Sequence, residues 1–312
     1  MPVQCSNSLK RLGATGAMGA GGQAVVEVLL SDIRAPLHAP RPTRGAGYHA
    51  MPGRCENGTE DRKVERKRMT ELWLVDLEAV APALEALERD LPRLSGDDRA
   101  RAQRPHDARE RRHRLVAYMG LRIVLERVAG PQVRGQSFLR GPANKPRLGT
   151  GGPAFSLSHT DGLALIGVAR ADAIGVDLER ARPIKMAHRR REEILAVAAG
   201  LAAEPLGDAS SDAALLAAWC RLEAFAKARG EGLSHVLAEL GLREAGGRHL
   251  AHGQIATAAR HLLRHAGLKI ADVEMPDGLY GAVAAAGLAQ PPRLRHFPAD
   301  IVAIRRILAA RG

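Results

Sequence analysis

The stretch WCRLEAFAKARGEGL, residues 219–233, carries the pattern on which the interpretation of the whole chain depends. At 3.6 residues per turn it predicts a helix that places Trp219, Glu223 and Lys227 on one flank, beside an apolar stripe around Phe225. A Glu four residues before a Lys is the favourable order for an ion pair, but an exposed pair of this kind stabilises a helix by only about 0.2–0.5 kcal/mol. The pair is therefore either a surface salt bridge or part of a site, and other segments must decide between them.

A second informative segment is AIGVDLER, residues 173–180, which has the pattern of a strand. Asp177 and Glu179 are separated by one residue, so both side chains leave the same face of the strand. Two acids on a half-buried face are costly unless a cation neutralises them, and carboxylates without Cys or His ligands suit Mg²⁺ rather than Zn²⁺. Glu223 is a candidate third ligand. A solvent-facing polar side of an edge strand is the alternative explanation of the pair.

The order of the strand and helix patterns predicts the fold class. The strand patterns are ELWLVDL, PAFSLSHT, LALIGVAR, AIGVDLER, LKIADVEM and LYGAVAAAG. Because strands come in runs, with long helices ending near Gly130 and Arg229, an α+β fold fits better than a doubly wound parallel sheet. We expect two similar halves, residues 69–169 and 170–312, each with a long helix against a small, mostly antiparallel sheet.

Residues 1–68 differ in composition from the rest of the chain. Gly, Ala, Arg and Pro dominate, and the segment ends in the charged run EDRKVERKR, which predicts a poorly ordered extension. The glycines of GATGAMGAGG, residues 13–22, superficially suggest a dinucleotide-binding loop. No buried strand precedes them and too little chain follows for a Rossmann sheet, so we reject that interpretation.

The overall composition limits the possible partners and the compartment. A formal charge of +12 predicts an acidic partner, whereas only 3% aromatic residues argues against single-stranded nucleic-acid binding, which needs stacking platforms. Three cysteines without a CxxC pair indicate neither a disulfide framework nor structural zinc, so we expect a reducing cytoplasm. Neither a membrane span nor a signal peptide is apparent.

Two loops supply candidate phosphate-binding groups. In FSLSHT, Ser158 and His159 lie where a strand gives way to a turn, a common position for groups that hold phosphate. In the segment ANKPRL, Lys145 precedes a proline that stiffens the loop, and Arg140 lies just upstream. A capping turn, a surface histidine and solvated loop charges explain these four residues equally well.

Taken in order, NKP, FSLSHT, IGVDLE, WCRLEAFAK and GEGL form a set that resembles the 4′-phosphopantetheinyl transferases of the surfactin-synthetase type. The resemblance covers roughly Met69 to the region of Gly287. Two residues depart from the family pattern: Asn144 stands where Gly is common, and Leu222 where many members carry Lys. Neither departure removes a metal ligand, but both can alter how the phosphates of the coenzyme are held.

The resemblance implies a pseudo-twofold enzyme that binds coenzyme A between its halves and transfers the phosphopantetheine arm to a serine. The residues that would hold Mg²⁺ with the coenzyme pyrophosphate are Asp177, Glu179 and Glu223. The residues that would engage the adenosine 3′-phosphate and neighbouring groups are Arg101, Arg140, Lys145, Ser158 and His159. Lys227 would contact the reacting phosphate, and Glu223 is a candidate general base, with a water relayed through Glu179 as the alternative.

The leading hypothesis is therefore a Mg²⁺-dependent holo-carrier-protein synthase acting on an acidic apo acyl or peptidyl carrier protein. Two halves in one chain favour a monomer. The alternative is a non-enzymatic basic protein that binds nucleic acid, which explains the charge but leaves Asp177, Glu179 and the ordered motifs unexplained. A degenerate transferase retained as a carrier-binding scaffold is a third possibility, against which the intact acids argue.

Overall fold

A computed structural model describes residues 70–310, except for 142, 150, 172, 203–205, 241, 243–250 and 289–291. The extension predicted for residues 1–68 lies outside the described residues. The strands are β1 Thr70–Asp76, β2 Leu139–Arg140, β3 Pro146–Arg147, β4 Ala154–Thr160, β5 Leu163–Ala169, β6 Ile174–Arg180, β7 Leu268–Asp272, β8 Leu279–Ala286 and β9 Leu294–His296. The helices are α1 Leu77–Asp90, α2 Gly96–Ala102, α3 Ala108–Ala129, α4 His188–Leu201, α5 Asp212–Arg229, α6 Leu233–Glu239, α7 His252–His265 and α8 Ile301–Ala309. Within the described residues, none of these helices has the length and apolar content needed to cross a membrane.

The strands form two main sheets and one short hairpin. The first sheet has the order β4-β5-β1-β9, the second has the order β6-β8-β7, and β2 pairs with β3. All these pairs are antiparallel except β1 with β9, which is parallel. The α+β class predicted from the runs of strands is confirmed, whereas the pseudo-twofold relation between halves stays a prediction.

The first sheet is buried on both faces, which explains the continuous apolar pattern of β1. Trp73 and Val75 belong to the core formed with α1 and α3. Leu72 and Leu74 belong to a second core that includes Ile174 and other residues of β6. Because alternate residues of a strand point to opposite faces, β1 contributes to both cores and joins the α3 layer to the second sheet.

The helices that matter most for the site begin and end at residues suited to these positions. The α5 helix begins after Ser211, whose hydroxyl accepts a hydrogen bond from Ala214 N at 3.2 Å. It ends at Gly230, which has a φ of 71° in the left-handed region that favours glycine. The long α3 helix begins after Asp107, whose side chain accepts a hydrogen bond from Glu110 N, and it ends at Gly130, where the sequence predicts its end.

The end of the chain returns to the first sheet. β9 runs parallel to β1, and Phe297 N donates to Leu74 O at 2.8 Å. Ile304 of α8 is fully buried in the core that contains Trp73. Residues 294–309 thus pack on the first sheet although they follow the second sheet in sequence. The boundary between residues 69–169 and 170–312 stays a prediction.

The β6 strand and the α5 helix approach each other closely at Gly175. A Cβ atom at this position would lie 2.0 Å from Ala224 O and 2.4 Å from Ala228 N, both in the backbone of α5. No side chain fits there without moving the helix. Glycine at this position therefore allows the backbone of α5 to contact β6 directly.

We expect Gly175→Ala to destabilise the fold by about 2–4 kcal/mol, because the added methyl group overlaps rigid backbone atoms. Urea unfolding followed by circular dichroism measures the change. Gly253→Ala in α7 is the matched control, since a Cβ there meets no atom within 4 Å. The control should leave the free energy of unfolding unchanged or raise it by up to about 1 kcal/mol. Equal effects of the two substitutions would contradict the assigned contact.

Candidate active site

The contact between β6 and α5 brings together the two segments that the sequence singled out. Asp177 and Glu179 alternate with Val176 and Leu178, which belong to the apolar core behind β6. The two acids therefore share the face of β6 on which Gly175 meets α5. The predicted same-face arrangement of the acid pair thus directs both carboxylates toward the helix that carries Glu223 and Lys227, not toward open solvent.

Asp177 lies at the centre of a buried polar cluster. Its Oδ1 accepts a hydrogen bond from Ser158 Oγ at 2.8 Å and another from Lys227 Nζ at 2.5 Å. Lys227 Nζ also lies 3.3 Å from Ser158 Oγ. The side chain of Asp177 is only 6% exposed, so this ion pair is shielded from water. Ser158 thus donates to this carboxylate, and its predicted contact with phosphate stays a prediction.

The salt bridge of Lys227 goes to Asp177 and not to Glu223. Burial lowers the pKa of Lys227, but the charges of Asp177 and Glu223 outweigh it and hold the pKa above its usual value. The surface salt bridge between Glu223 and Lys227 that helical spacing alone permits is therefore not formed. Both residues are available to the cavity that they line.

Burial and mutual repulsion raise the pKa values of the neighbouring carboxyl groups, Glu179 and Glu223. Burial, together with the charge of Asp177, raises the pKa of Glu179, although Arg182 Nη1 donates to Glu179 Oε2 at 2.7 Å and partly offsets the effect. Burial raises the pKa of Glu223 to about 7, with Lys227 lowering it and the two acids of β6 raising it. Such an environment favours an added cation, because it would relieve the repulsion among the three carboxylates.

A cavity of about 320 Å³ opens beside this cluster. Of the predicted site residues, Arg140, Lys145, His159, Glu223 and Lys227 line it. The predicted residues Arg101, Ser158, Asp177 and Glu179 are not among its lining residues. With Arg114, which also lines it, the cavity collects one carboxylate and five basic side chains, a composition suited to an anionic ligand.

The cavity also has lining residues that the sequence did not single out. Arg114 and Tyr118 are one turn apart on α3, and Phe138 and Phe155 pack with ring centroids 4.7 Å apart. The i, i+4 spacing of the first pair is a signal that could have found them, since both lie in the basic approach to the long helix. No local pattern brings Phe138 to Phe155.

A buried ion pair behind the cavity fixes this aromatic wall. The guanidinium of Arg122 lies 3.9 Å from the centre of the Phe138 ring and pairs with Asp98 at 2.5 Å. The same guanidinium donates to Val133 O at 2.9 Å and to Gln136 O at 2.7 Å. Because four groups hold Arg122 in place, the loop that leads to Phe138 has one defined position.

The remaining predicted cations have different surroundings. Arg140 Nη1 donates to Asn144 O at 3.0 Å, and burial, reinforced by the charge of nearby Arg101, lowers the pKa of Arg140. Burial also lowers the pKa of His159, against the opposing effect of Glu110, whose Oε1 lies 3.9 Å from His159 Nδ1. Arg101 is thus near Arg140 although it does not line the cavity.

Lys145 has the most unusual environment among these cations. Its Nζ donates to Ile174 O at 2.7 Å and to Ala228 O at 3.2 Å. Burial lowers its pKa to about 8. The ammonium group is therefore occupied by backbone carbonyls of β6 and α5 rather than directed freely into the cavity.

Both departures from the family pattern have a structural explanation. Asn144 has a φ of 66°, and Asn is one of the few residues other than Gly that tolerate the left-handed region. Leu222 is fully buried in the core around α5, where an apolar side chain packs without the cost of burying a charge. Trp219 is also buried, so it packs in the interior beside the apolar stripe of α5.

Asp177 offers one oxygen of the kind that a hard divalent cation binds. Asp177 Oδ2 is buried and has no hydrogen-bond partner in the described part of the chain, so one carboxylate oxygen is free to coordinate. The oxygens of Asp177, Glu179 and Glu223 do not form a compact ligand group in the described structure. The described residues whose ligand atoms lie within 4.8 Å of one another are the exposed Glu231, His235 and Glu239. The metal-ligand assignment of the predicted triad stays a prediction.

Comparison with known proteins places the site within a family pattern. Residues 173–273 match the 4′-phosphopantetheinyl transferase superfamily. The chain is also 28% identical over 239 residues to the 4′-phosphopantetheinyl transferase HetI of Nostoc sp., and the alignment covers 72% of this chain and 91% of that relative. The family match contains β6 and α5 entirely, and with them both acids of β6 and the Glu223 and Lys227 pair.

The burial of Lys145 predicts a specific dependence of stability on pH. Its pKa of about 8 in the folded chain lies below the ~10.4 of an unfolded lysine. Between these values the unfolded chain binds a proton that the folded chain has released, so this residue makes folding more favourable as the pH rises. In urea titrations from pH 8 to about 10.5, the stability of the wild type relative to Lys145→Met should increase. A constant difference across this range would contradict the assigned burial.

Proposed function

We propose that the chain transfers the 4′-phosphopantetheine group of coenzyme A to a serine of an apo carrier protein, because residues 173–273 match the 4′-phosphopantetheinyl transferase superfamily. The serine oxygen forms a bond to the phosphorus that carries the pantetheine arm. The bond from this phosphorus to the bridging oxygen breaks, and adenosine 3′,5′-bisphosphate leaves. The proton of the serine hydroxyl passes to a base on the enzyme.

The observation that carries this proposal is the cluster of Asp177, Glu223 and Lys227, of which Glu223 and Lys227 line the cavity and Asp177 pairs with Lys227 beside it. A buried carboxylate with a free oxygen, a carboxyl with a pKa of about 7 and an ammonium group lie together there. The transfer requires stabilisation of phosphate charge and removal of one proton, and these groups match both needs. A non-enzymatic nucleic-acid-binding protein would need neither a buried acid cluster nor an enclosed cavity.

Mg²⁺ would be held by Asp177, Glu179 and Glu223, with Asp177 Oδ2 as the free buried donor. When bound, the ion supplies positive charge that stabilises the oxygens of the pyrophosphate. Arg182 forms an ion pair with Glu179, so the chain itself already compensates part of the negative charge of the acid cluster.

Glu223 is our candidate for the general base. A carboxyl with a pKa of about 7 is populated in both protonation states near neutral pH, which suits proton transfer. A water molecule relayed through Glu179 is the alternative route for the proton. Lys227, with its side chain 31% exposed at the cavity, is positioned to contact the reacting phosphate.

The other basic residues of the cavity bind the remaining phosphates in this proposal. Arg140 and His159 were assigned to the adenosine 3′-phosphate from the sequence, and Arg114 on α3 adds a guanidinium whose Nε is buried without a partner in the described structure. Arginine is suited to bidentate recognition of phosphate. Arg101, close to Arg140, adds positive charge to this side of the site.

The finer assignments follow from the sequence motifs. We propose the surfactin-synthetase type of the superfamily, an acyl or peptidyl carrier protein as acceptor, a monomer as the active form and a cytoplasmic location. The net charge of +12 supports an acidic carrier, because opposite charges steer association.

Substitutions in the acid cluster test the reaction directly. In an assay with coenzyme A, Mg²⁺ and an apo carrier, mass spectrometry detects the added phosphopantetheine group. Asp177→Ala should lower kcat by at least about 100-fold, because the phosphate charge loses its stabilisation. Glu223→Gln should lower kcat while coenzyme A binding is retained, since an amide cannot accept the proton. Lys227→Ala should also lower kcat.

The exposed Glu274→Gln is the control for these variants, and it should keep the wild-type rate. All variants are compared by circular dichroism to confirm that they fold. A folded Asp177→Ala protein with the wild-type rate would overturn the assignment of the acid cluster.

The proposed electrostatic recognition of the carrier predicts a selective effect of salt. The KM for the carrier should rise steeply between about 20 mM and about 150 mM NaCl, because salt screens contacts between exposed charges. The KM for coenzyme A, set by enclosed contacts, should change less. Equal salt dependence of the two KM values would count against recognition of an acidic carrier.

A further inference from the structure

Lys145 connects three elements that are far apart in sequence. It lies in the loop between β2 and β3, and its Nζ donates to Ile174 O at the start of β6 and to Ala228 O in the last turn of α5. Ile174 directly precedes Gly175, and a Cβ on Gly175 would lie 2.4 Å from Ala228 N, where the backbone of α5 contacts β6. The ammonium group is therefore located at the junction that sets the distance between the strand and the helix.

Both carbonyls need a partner at this position. The last four carbonyls of a helix lack intrahelical donors, and a cation at a helix C-terminus is also favoured by the helix dipole. β6 is an edge strand of its sheet. A donor from the β2–β3 loop therefore satisfies groups that neither α5 nor the sheet satisfies internally.

The glycines of the GEGL segment allow this loop to approach. A Cβ on Gly230 would lie 3.2 Å from Lys145 Cδ, and a Cβ on Gly232 would lie 3.5 Å from Ala143 Cβ. Both glycines have positive φ values, 71° and 82°. The NKP and GEGL segments, separately recognised in the sequence, thus pack against each other around the lysine stem.

We propose that Lys145 is a positioning residue, whose ammonium group ties the β2–β3 loop to β6 and α5 and so fixes Asp177 relative to Glu223 and Lys227. This role replaces the phosphate contact expected from the sequence and rests on the proposed function. Binding a phosphate would require Lys145 to give up two hydrogen bonds to carbonyls, whereas Arg114, Arg140 and His159 already line the cavity. A displacement of reacting groups by about 1 Å can cost roughly 100-fold in rate, so a small change at this junction is sufficient to affect turnover.

The test compares Lys145→Met and Lys145→Arg with the exposed control Lys269→Met in the full chain. Three quantities are measured: kcat and KM for coenzyme A, the Kd for adenosine 3′,5′-bisphosphate by calorimetry, and hydrogen exchange of the backbone amides of residues 226–233. For Lys145→Met we expect kcat to fall by roughly 10- to 100-fold, a change of less than about 3-fold in the Kd, and faster amide exchange. Lys145→Arg, which keeps donors for both carbonyls, should recover most of the rate.

A rise of about 10-fold or more in the Kd with kcat unchanged at saturating coenzyme A would overturn the proposal and restore Lys145 as a phosphate ligand. Unchanged kcat and unchanged exchange would overturn it as well. Should Lys145→Met fail to fold, Lys145→Gln is measured in the same way. Should the wild type transfer nothing to any apo carrier, the proposed function fails separately. Exchange then decides the positioning role: faster exchange in Lys145→Met than in Lys269→Met supports it, and equal exchange overturns it.

Discussion

The close contact between Gly175 of β6 and the backbone of α5 is the constraint on which the candidate site depends. A side chain at this position would overlap Ala224 O and Ala228 N, so only glycine permits the observed approach. The approach places Asp177, two residues later on the strand, within hydrogen-bonding distance of Lys227 on the helix. One missing methyl group thus determines whether the acids and the lysine form a single site.

Charge compensation then determines the state of that site. Burial raises the pKa values of Glu179 and Glu223, and each acid would be costly without a nearby cation. Lys227 and Arg182 supply part of the positive charge, while Asp177 Oδ2 still lacks a partner within the described structure. The same groups that make the cluster unfavourable on its own would favour a divalent cation in the proposed function, so the cost in stability and the proposed metal site have one origin.

The walls of the cavity depend on interactions that lie behind its surface. Arg122 and Asp98 form a buried pair that holds the loop leading to Phe138. On the opposite side, Lys145 holds its loop against β6 and α5 through two carbonyls. In both cases a buried cation donates to backbone carbonyls, so polar contacts at the periphery give the site one defined shape.

The sequence by itself determined the α+β class, the helix carrying Glu223 and Lys227, and the shared face of Asp177 and Glu179, because strand and helix periodicity fix local side-chain direction. The ordered motifs also indicated the superfamily that residues 173–273 match, and most of the cavity's basic residues. The tertiary structure decided which residues and elements contact one another. Lys227 pairs with Asp177 rather than with Glu223, Lys145 binds carbonyls, Arg114 and Phe138 join the cavity, and β9 returns to β1. These contacts join residues distant in sequence, and which of several possible partners a charge takes depends on packing that local periodicity does not encode.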